Sequence, residues 1–365
     1  MRSSSLVLVA ATVFCAVAGA QGTTRIPLVK GLTLVSATQL PTGDQENVVT
    51  VNDVSPEGAS YAWSYRQQNG AQVEQGNFHR FVRIEDITSA PRLNPVFFGN
   101  DVDRFPGSTA FSISRATLAK LKAGGPVSYS LAGIDGAGVG TGWLGAKSGG
   151  LLKTRVYMRG TLEKSGNATS MPLLINGRRS SVPVVHAVGS FTFRNAKVSG
   201  DFFVLDDAEH PLLLRAVIGG GAFQMIRVDM PASGNVSIAK HIEADLVSKC
   251  RAEIPGVYFD LASAQLRPES SASLADVARL LNAHPDWKLS IEGHTDAAGT
   301  VAGNLALSQR RADAVRTALS TGYRVAGARL TATGFGQTKP KESNATLEGR
   351  AHNRRVEMTR PCSRS

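Results

Sequence analysis

Long apolar runs are almost absent from this 365-residue chain. Beyond residue 20, no stretch approaches the roughly 20 apolar residues that a membrane-spanning helix needs, so we expect no such helix in the mature chain. Aromatic residues are also sparse, at 6%. Membrane barrels need about eight strands of roughly ten alternating residues with aromatic girdles. The composition therefore favours a soluble β-domain, such as a sandwich, over one embedded in lipid.

Cysteine and histidine are scarce as well, with three and seven residues. His294 stands beside a polar motif, but no second His or Cys lies near it at the spacing of metal ligands. The adjacent carboxylates Asp206 and Asp207 precede Pro211 and indicate a turn rather than an acid/base pair. We therefore expect no metal and no cofactor, and we assign no catalytic residue.

Acidic residues are outnumbered, with 29 Asp and Glu against 40 Lys and Arg, which gives a formal charge of +11. The basic residues are scattered rather than gathered on one helix with interleaved aromatic residues, so nucleic acid is not an expected partner. A basic surface does give a weak, salt-sensitive attraction to anionic polymers or lipid head groups. The partners that this charge favours are therefore anionic surfaces.

Residues 1–20 differ from the rest of the chain. A basic residue precedes an apolar run over residues 6–18, and the small residues 18–20 form a cleavage site. This pattern predicts a secretory signal peptide and hence an exported protein. Cys15 is not an expected lipidation site, because Phe14 stands where such sites require a small residue.

The next region, residues 21–245, is predicted to be β-rich. Short apolar runs separated by Gly, Pro, Asn and Asp indicate strands. These runs are 48–51, 81–84, 110–113, 127–131, 154–158, 188–193 and 202–205. One helix is expected at 114–122, where Ser114 is placed to cap it and Gly124 to end it. The glycine-rich stretch 133–150 lacks the spacing of a phosphate-binding loop and predicts a flexible connection.

The stretch 288–319 combines a strand, a polar loop and an amphipathic helix. Leu289 and Ile291 alternate with polar residues, as in a strand with one buried face. The polar loop begins where this strand ends, at Thr295 and Asp296. In helical projection an apolar stripe follows, consisting of Leu307, Ala314, Val315 and Ala318.

Arg311 falls inside this apolar stripe, and Asn304 lies about 20° from it in the same projection. The loop that carries Asp296 returns to the same region. Because a desolvated guanidinium without a partner is costly, Arg311 requires an anion. That anion is either Asp296, in a structural ion pair, or a ligand carboxylate held by the planar guanidinium fork.

Several spaced motifs accompany these residues. They are T-D-x-x-G at 295–299, an Asn eight residues after Asp296, L-S-x-x-R-A at 307–312, and G-R-A-x-N-R-R-V-E at 349–357. Together they resemble the OmpA-like peptidoglycan-binding domain, over roughly Val257 to Arg360. The resemblance implies a pocket for the diaminopimelate of the peptidoglycan stem peptide, in which Asp296 takes the ammonium and Arg311 the carboxylate.

The resemblance also places four further residues in this pocket, namely Thr295, Asn304, Asp260 and Arg354. Three of them have simpler interpretations that stay open. Asn304 is equally suited to cap a loop or helix. Asp260 is suited to end a strand, and Arg354 to be a solvated charge at a sheet edge.

We therefore expect an α+β protein with two domains. The β-rich domain, 21–245, is followed by a linker, 246–256, and an OmpA-like βαβαββ domain, 257–361, with two helices on one face of a mixed sheet. In this domain we expect a strand at 257–261, a helix from Pro268 to before Pro285, a strand at 330–335, a polar loop at 339–353 and a last strand at 355–359.

Cys250 and Cys362 are the cysteines that remain after signal removal, and they flank the C-terminal domain. Export supplies an oxidising compartment. We therefore expect a disulfide between them, with two free thiols as the alternative.

These features converge on a non-enzymatic protein of the periplasm, associated with the outer membrane, that holds peptidoglycan through its C-terminal domain. Its N-terminal domain would be carried to the wall or bind another envelope component. Two alternatives stay open. One is a cell-wall hydrolase localised by the C-terminal domain, although the sequence offers no metal or nucleophile constellation for it. The other is an outer-membrane β-barrel tethered to the wall.

Overall fold

The computed structural model describes residues 25–361 apart from short gaps. The gaps are 41–42, 70–71, 95–101, 135–154, 168, 194, 220, 232–237 and 261. The predicted signal peptide, most of the glycine-rich stretch and Cys362 lie outside the described residues. Within the described ranges, no helix combines the length and apolar character that crossing a membrane requires.

The N-terminal part forms one sheet of 13 strands. The strands are β1 (Thr33–Leu40), β2 (Gly43–Ser55), β3 (Gly58–Asn69), β4 (Gln72–Arg83), β5 (Arg92–Leu93), β6 (Val102–Arg104), β7 (Val127–Ile134), β8 (Arg155–Lys164), β9 (Thr169–Ile175), β10 (Arg178–Phe193), β11 (Ala196–Leu205), β12 (Leu213–Ile218) and β13 (Gly221–Asp229). Their order is β5-β7-β8-β10-β11-β12-β13-β1-β2-β3-β4-β6, and β9 pairs with both β10 and β13. The sandwich interpretation is thereby corrected, because the strands join in one hydrogen-bonded sheet.

Most of the apolar runs that indicated strands lie in this sheet. The runs at 127–131, 188–193 and 202–205 fall within β7, β10 and β11, as predicted. The run at 110–113 does not form a strand, because its backbone makes only isolated contacts with residues 211–213 at the start of β12. The fold class, a β-rich domain before a smaller α/β domain, is confirmed.

Two helices interrupt the N-terminal sheet, α1 (Ile84–Ser89) and α2 (Arg115–Lys122). Ser114 Oγ accepts a hydrogen bond from the backbone N–H of Thr117 at 3.3 Å, and Gly124 follows with a φ of +87°. Ser114 thus caps the start of the helix, and Gly124 follows its end in a left-handed conformation. These are the two roles that the sequence predicted for these residues. The prediction of this helix is confirmed.

The C-terminal part is a four-stranded sheet with helices. Its elements are α3 (Ile238–Lys249), β14 (Arg251–Glu253), α4 (Ser271–Ala283), β15 (Leu289–Gly293), α5 (Val301–Thr317), β16 (Leu330–Gly334), α6 (Leu347–Asn353) and β17 (Val356–Thr359). The sheet order is β14-β17-β15-β16. β15 and β16 are parallel, and α5 supplies the crossover that a parallel pair needs.

The segment 246–256 was expected to be a linker, and here the structure differs. Helix α3 buries Ile242 and Leu246, one helical turn apart, in the core of the C-terminal domain. Strand β14 then pairs with β17 and forms the edge of its sheet. The segment is therefore part of the C-terminal domain.

Two local predictions in this domain are also corrected. Among the described residues 257–260 of the predicted strand, only Phe259 pairs, in an isolated bridge to Leu266, since β14 already occupies the edge of the sheet. The loop expected at 339–353 ends in helix α6, which Thr346 caps by accepting from the N–H of Gly349 at 3.0 Å. This helix is too short for an apolar period to reveal it.

Helix α5 lies directly on β15 and β16 because glycines face it. A Cβ on Gly293 would lie 2.2 Å from the carbonyl oxygen of Ser308, and one on Gly334 would lie 2.3 Å from the backbone nitrogen of Gln309. Because of this close approach, the buried face of α5 is rotated relative to the apolar stripe that the sequence predicted. The side chains that are buried are those of Asn304, Ser308, Arg311, Ala312 and Val315.

The edge pairing of β14 bears on the predicted disulfide. Arg360 donates its backbone N–H to the carbonyl oxygen of Cys250 at 3.0 Å. The backbone two residues before Cys362 therefore lies beside Cys250. We expect the disulfide to close a loop of 362 − 250 = 112 residues. In the chain-entropy model this raises the free energy of unfolding by about 4 to 5 kcal/mol.

Mass spectrometry after alkylation without reduction tests this expectation. Neither Cys250 nor Cys362 should be alkylated in purified oxidised protein, and reduction should lower the denaturation midpoint. Modification of both thiols in the folded, oxidised protein would contradict the pairing.

Candidate functional site

The candidate site lies where β15 and β16 end side by side. Because the strands are parallel, the residues that follow them meet at one edge of the sheet. Thr295 donates its N–H to the carbonyl of Gly336 at 2.9 Å, and Gly336 donates to Ser308 Oγ at 2.8 Å. These bonds join the two loops to the first half of α5.

Asn304, in the first turn of α5, holds the loop that carries Asp296. Its side-chain N–H₂ group donates to the carbonyls of Asp296 and Ala298, at 3.2 and 2.9 Å, and to Gln337 Oε1 at 2.7 Å. Thr295 Oγ1 likewise donates to the carbonyl of Asp296 at 2.9 Å. Both side chains are therefore committed to positioning this loop.

Asp296 is buried, at 7% exposure, and its two oxygens have different partners. Oδ1 accepts from the N–H of Ala298 at 3.0 Å, and Oδ2 accepts from Arg354 Nη1 at 2.5 Å. The Arg354 side chain is only 14% exposed. Arg354 is therefore not a solvated edge charge, and it is the ion-pair partner of Asp296.

Arg311 is buried in the same region without an ion-pair partner. Its Nε donates to the carbonyl of Ser263 at 2.9 Å, and its guanidinium lies over the ring of Phe259 at 4.9 Å. No carboxylate among the described residues lies within 4.0 Å of this guanidinium. The structural ion pair between Asp296 and Arg311, one of the two readings of the sequence, is thus not formed.

The electrostatics of Arg311 follow from this burial. Desolvation lowers the pKa of Arg311 to about 10. The carboxylates of Glu46 and Asp296 oppose the lowering and the charge of Arg354 adds to it, but desolvation remains the largest cause. The protein's own carboxylates therefore compensate the charged form of Arg311 only in part.

Asp260 lies beside Arg311 in a tight turn rather than at the end of a strand. It is buried at 6%, and its carbonyl accepts from the N–H of Ser263 at 3.1 Å. The turn presents the Ser263 carbonyl to Arg311. Five of the six predicted pocket residues are buried, and Arg354 is intermediate.

The structure adds residues that the sequence did not reveal. Asp44, at the start of β2 in the N-terminal domain, accepts from Arg350 Nε at 2.5 Å and from Nη2 at 2.9 Å. Glu46 accepts from Arg354 Nε at 2.7 Å. Asp44 and Glu46 are two residues apart on β2, so both carboxylates lie on one face of the strand. No pattern in the neighbouring sequence indicates that this face contacts the C-terminal domain.

His294 lies behind the site in a buried polar cluster. Its Nε2 is 3.9 Å from Glu292 Oε2 and 3.8 Å from Glu357 Oε2, so the three residues are close enough to hold a cation. Both carboxylates already pair with Arg251, at 3.2 and 3.3 Å. A cation would have to displace that guanidinium, and we read the cluster as structural.

The C-terminal residues also resemble known proteins. Residues 258–354 match the OmpA family. Outer membrane porin F of Pseudomonas aeruginosa is 38% identical over 130 residues, which is 36% of this chain and 35% of the relative. Peptidoglycan-binding protein ArfA of Mycobacterium tuberculosis is 41% identical over 116 residues, 32% of this chain and 35% of the relative. The chain thus spans about a third of these relatives' length.

A solved structure shows the same regional similarity. The peptidoglycan-associated lipoprotein from Burkholderia pseudomallei is 38% identical in the matched part. The match covers 29% of this chain and 88% of that one, with a TM-score of 0.27.

The buried cluster around His294 predicts a pH dependence of stability. Burial, aided by the charge of Arg355, lowers the pKa of His294 to about 4, against about 6.5 in an unfolded chain. Between these values only the unfolded state takes up the proton, so stability falls as the pH drops from about 6.5 to about 4. The loss is at most about 3 kcal/mol.

An NMR titration of the His294 imidazole measures this directly. We expect the ring to stay neutral above about pH 5, and the His294→Gln variant to lose less stability than the unchanged protein on acidification. A ring that titrates near pH 6.5 in the folded protein contradicts this.

Proposed function

Since residues 258–354 are a domain of the OmpA family, we propose that this protein binds peptidoglycan non-covalently through its C-terminal domain. One relative named above is a peptidoglycan-binding protein, and its similarity to this chain is confined to that part. The proposal therefore concerns the site at the end of β15.

The observation that carries the proposal is the buried, unpaired guanidinium of Arg311. Its Nε is fixed by the Ser263 carbonyl and its face is covered by Phe259. Its Nη groups make no hydrogen bond to a described residue. A guanidinium held in this way is preorganised for a carboxylate.

Diaminopimelate matches the charges of the site. Its free end carries a carboxylate and an ammonium on one carbon, and we propose that Arg311 takes the carboxylate and Asp296 the ammonium. A carboxylate has about four lone-pair directions, so Asp296 can keep its bond from Ala298 and still accept from an ammonium. Thr295 and Asn304 position the Asp296 loop, while Asp260 and Arg354 line the pocket.

We further propose that the protein is exported to the periplasm and anchors its N-terminal domain, or the outer membrane, to the wall without cutting it. The signal-peptide pattern of residues 1–20 supports export. A relative named as an outer membrane porin supports association with that membrane.

Sedimentation with purified peptidoglycan tests the ligand. The mature protein should bind diaminopimelate-containing wall and release no muropeptides from it. Wall whose third stem residue is lysine lacks the carboxylate for Arg311, so binding should weaken by roughly 1.5 to 3 kcal/mol. Equal binding to both walls would exclude this pocket assignment, and release of muropeptides would exclude a non-enzymatic role.

The Arg311→Met variant separates binding from stability. Removing a desolvated, unpaired charge should leave the free energy of unfolding unchanged or higher, while binding to the wall should be lost. The matched control is Arg310→Met, because Arg310 is the exposed neighbour on the same helix. This control should keep its binding and stay within about 0.5 kcal/mol in stability.

Denaturant titration and wall sedimentation of both variants give the two readouts. An Arg311→Met protein that binds normally but unfolds much earlier would show that Arg311 is a structural residue.

A further inference from the structure

We propose that the N-terminal domain closes the peptidoglycan site through Asp44 and Glu46, so that the wall binds only when this contact opens. The inference rests on the proposed function of the site and adds its regulation. We call the pair Asp44 and Glu46 the latch.

The latch is a set of partly buried ion pairs between the two domains. Asp44 binds Arg350 through two hydrogen bonds, 2.5 and 2.9 Å long, and its side chain is only 8% exposed. Glu46 Oε1 accepts a hydrogen bond from Arg354 Nε at 2.7 Å, and Arg354 Nη2 lies 2.7 Å from the same oxygen without hydrogen-bond geometry. Charge-assisted, two-point contacts such as that of Asp44 with Arg350 are among the stronger hydrogen bonds in proteins.

The latch acts on the two groups that are proposed to hold the ligand's charges. Arg354 lies between Glu46 and Asp296, so Glu46 holds this guanidinium on the carboxylate proposed to take the ammonium. Among the carboxylates that oppose the lowered pKa of Arg311, Glu46 acts more strongly than Asp296. Glu46 therefore offsets part of the Arg311 charge that a ligand carboxylate would neutralise.

Apolar contacts hold the same face of the N-terminal sheet against the C-terminal domain. Two buried clusters cross the boundary, one formed by Ala37, Ile226, Leu347 and Ala351 and the other by Val35, Val48 and Tyr258. Tyr258 also donates its hydroxyl to Asp229 at 2.6 Å. The closed arrangement is thus a packed interface, and it competes with ligand binding as a defined state.

A composite site, in which Asp44 and Glu46 help to hold the ammonium, is disfavoured by these contacts. Both carboxylates are already neutralised by Arg350 and Arg354. A ligand ammonium would have to compete with two guanidinium groups for these carboxylates. A ligand carboxylate, in contrast, gains both guanidinium groups as possible partners when the latch opens. If only the open state binds, the apparent affinity for the ligand equals the intrinsic affinity of the open state multiplied by the fraction of protein that is open.

The test compares full-length variants in binding a soluble muropeptide whose stem ends in diaminopimelate. The double variant Asp44→Asn with Glu46→Gln removes both latch charges at nearly constant shape. We expect its affinity to rise roughly tenfold, within the 5- to 150-fold range of coupled equilibria. The control is Asp53→Asn, an exposed residue of the same strand, and its affinity should not change.

A charge exchange provides a second measurement. Asp44→Arg places a guanidinium against Arg350 and Arg354, and it should raise muropeptide affinity. Adding Arg350→Asp restores a pair of reversed sign, and it should return the affinity toward that of the unchanged protein. Rescue of this kind distinguishes a latch from general loosening of the fold.

The outcomes separate the latch from the proposed function. Unchanged affinity in the double variant, together with lost binding in Arg311→Met, overturns the latch and leaves the site intact. Lower affinity in the double variant overturns the latch in favour of a composite site. Normal binding by Arg311→Met overturns the proposed function itself, and the latch with it.

Discussion

The guanidinium of Arg354 is the group on which the site and the contact between domains both depend. It lies between Asp296 of the C-terminal loop and Glu46 of the N-terminal sheet, with only 14% of its side chain exposed. Burial by itself lowers the pKa of Arg354, but Glu46 and Asp296 outweigh burial and raise it above its usual value. Because removing one member of a buried pair leaves the other uncompensated, each of the three charged groups depends on the others.

Arg311 lies in the same region and has the opposite electrostatics. Its pKa is lowered, to about 10, where that of Arg354 is raised. The two guanidinium groups therefore differ in how their charge is compensated. Arg354 is satisfied by the protein's own carboxylates, whereas the Nη groups of Arg311 make no hydrogen bond to a described residue and, in the proposed function, take the ligand carboxylate.

The sequence predicted the elements that carry the site better than the contacts within it. Alternation at 289–293 and helical periodicity after Val301 follow from which faces are buried, so β15 and α5 were predictable. The position of Arg311 on the buried side of α5 follows from the same periodicity. The rotation of that side was not predictable, because Gly293 and Gly334 allow the close approach without giving any hydrophobic signal.

Contacts between distant segments left no local pattern. Asp44 and Arg350 are 306 residues apart, and a strand with alternating acidic residues looks the same whether it faces water or another domain. Helix α6 escaped prediction for the same reason, since its buried hydrophobic residues are Leu347 and Ala351 and they pack against the N-terminal sheet. Such short elements are determined by the surface that they meet, and one-dimensional periodicity does not contain that surface.

In the proposed latch, charge balance relates the closed state of the site to the binding of the ligand. In the closed state three guanidinium groups, those of Arg311, Arg350 and Arg354, face three carboxylates, those of Asp44, Glu46 and Asp296. Removing the two latch carboxylates leaves three positive charges against one negative, 3 − 1 = +2 among these groups. A concave site with such an excess attracts anionic ligands, and a ligand carboxylate restores part of the balance that opening removes. In the proposed latch, the guanidinium groups that close the site are therefore the same ones that select a carboxylate in the open state.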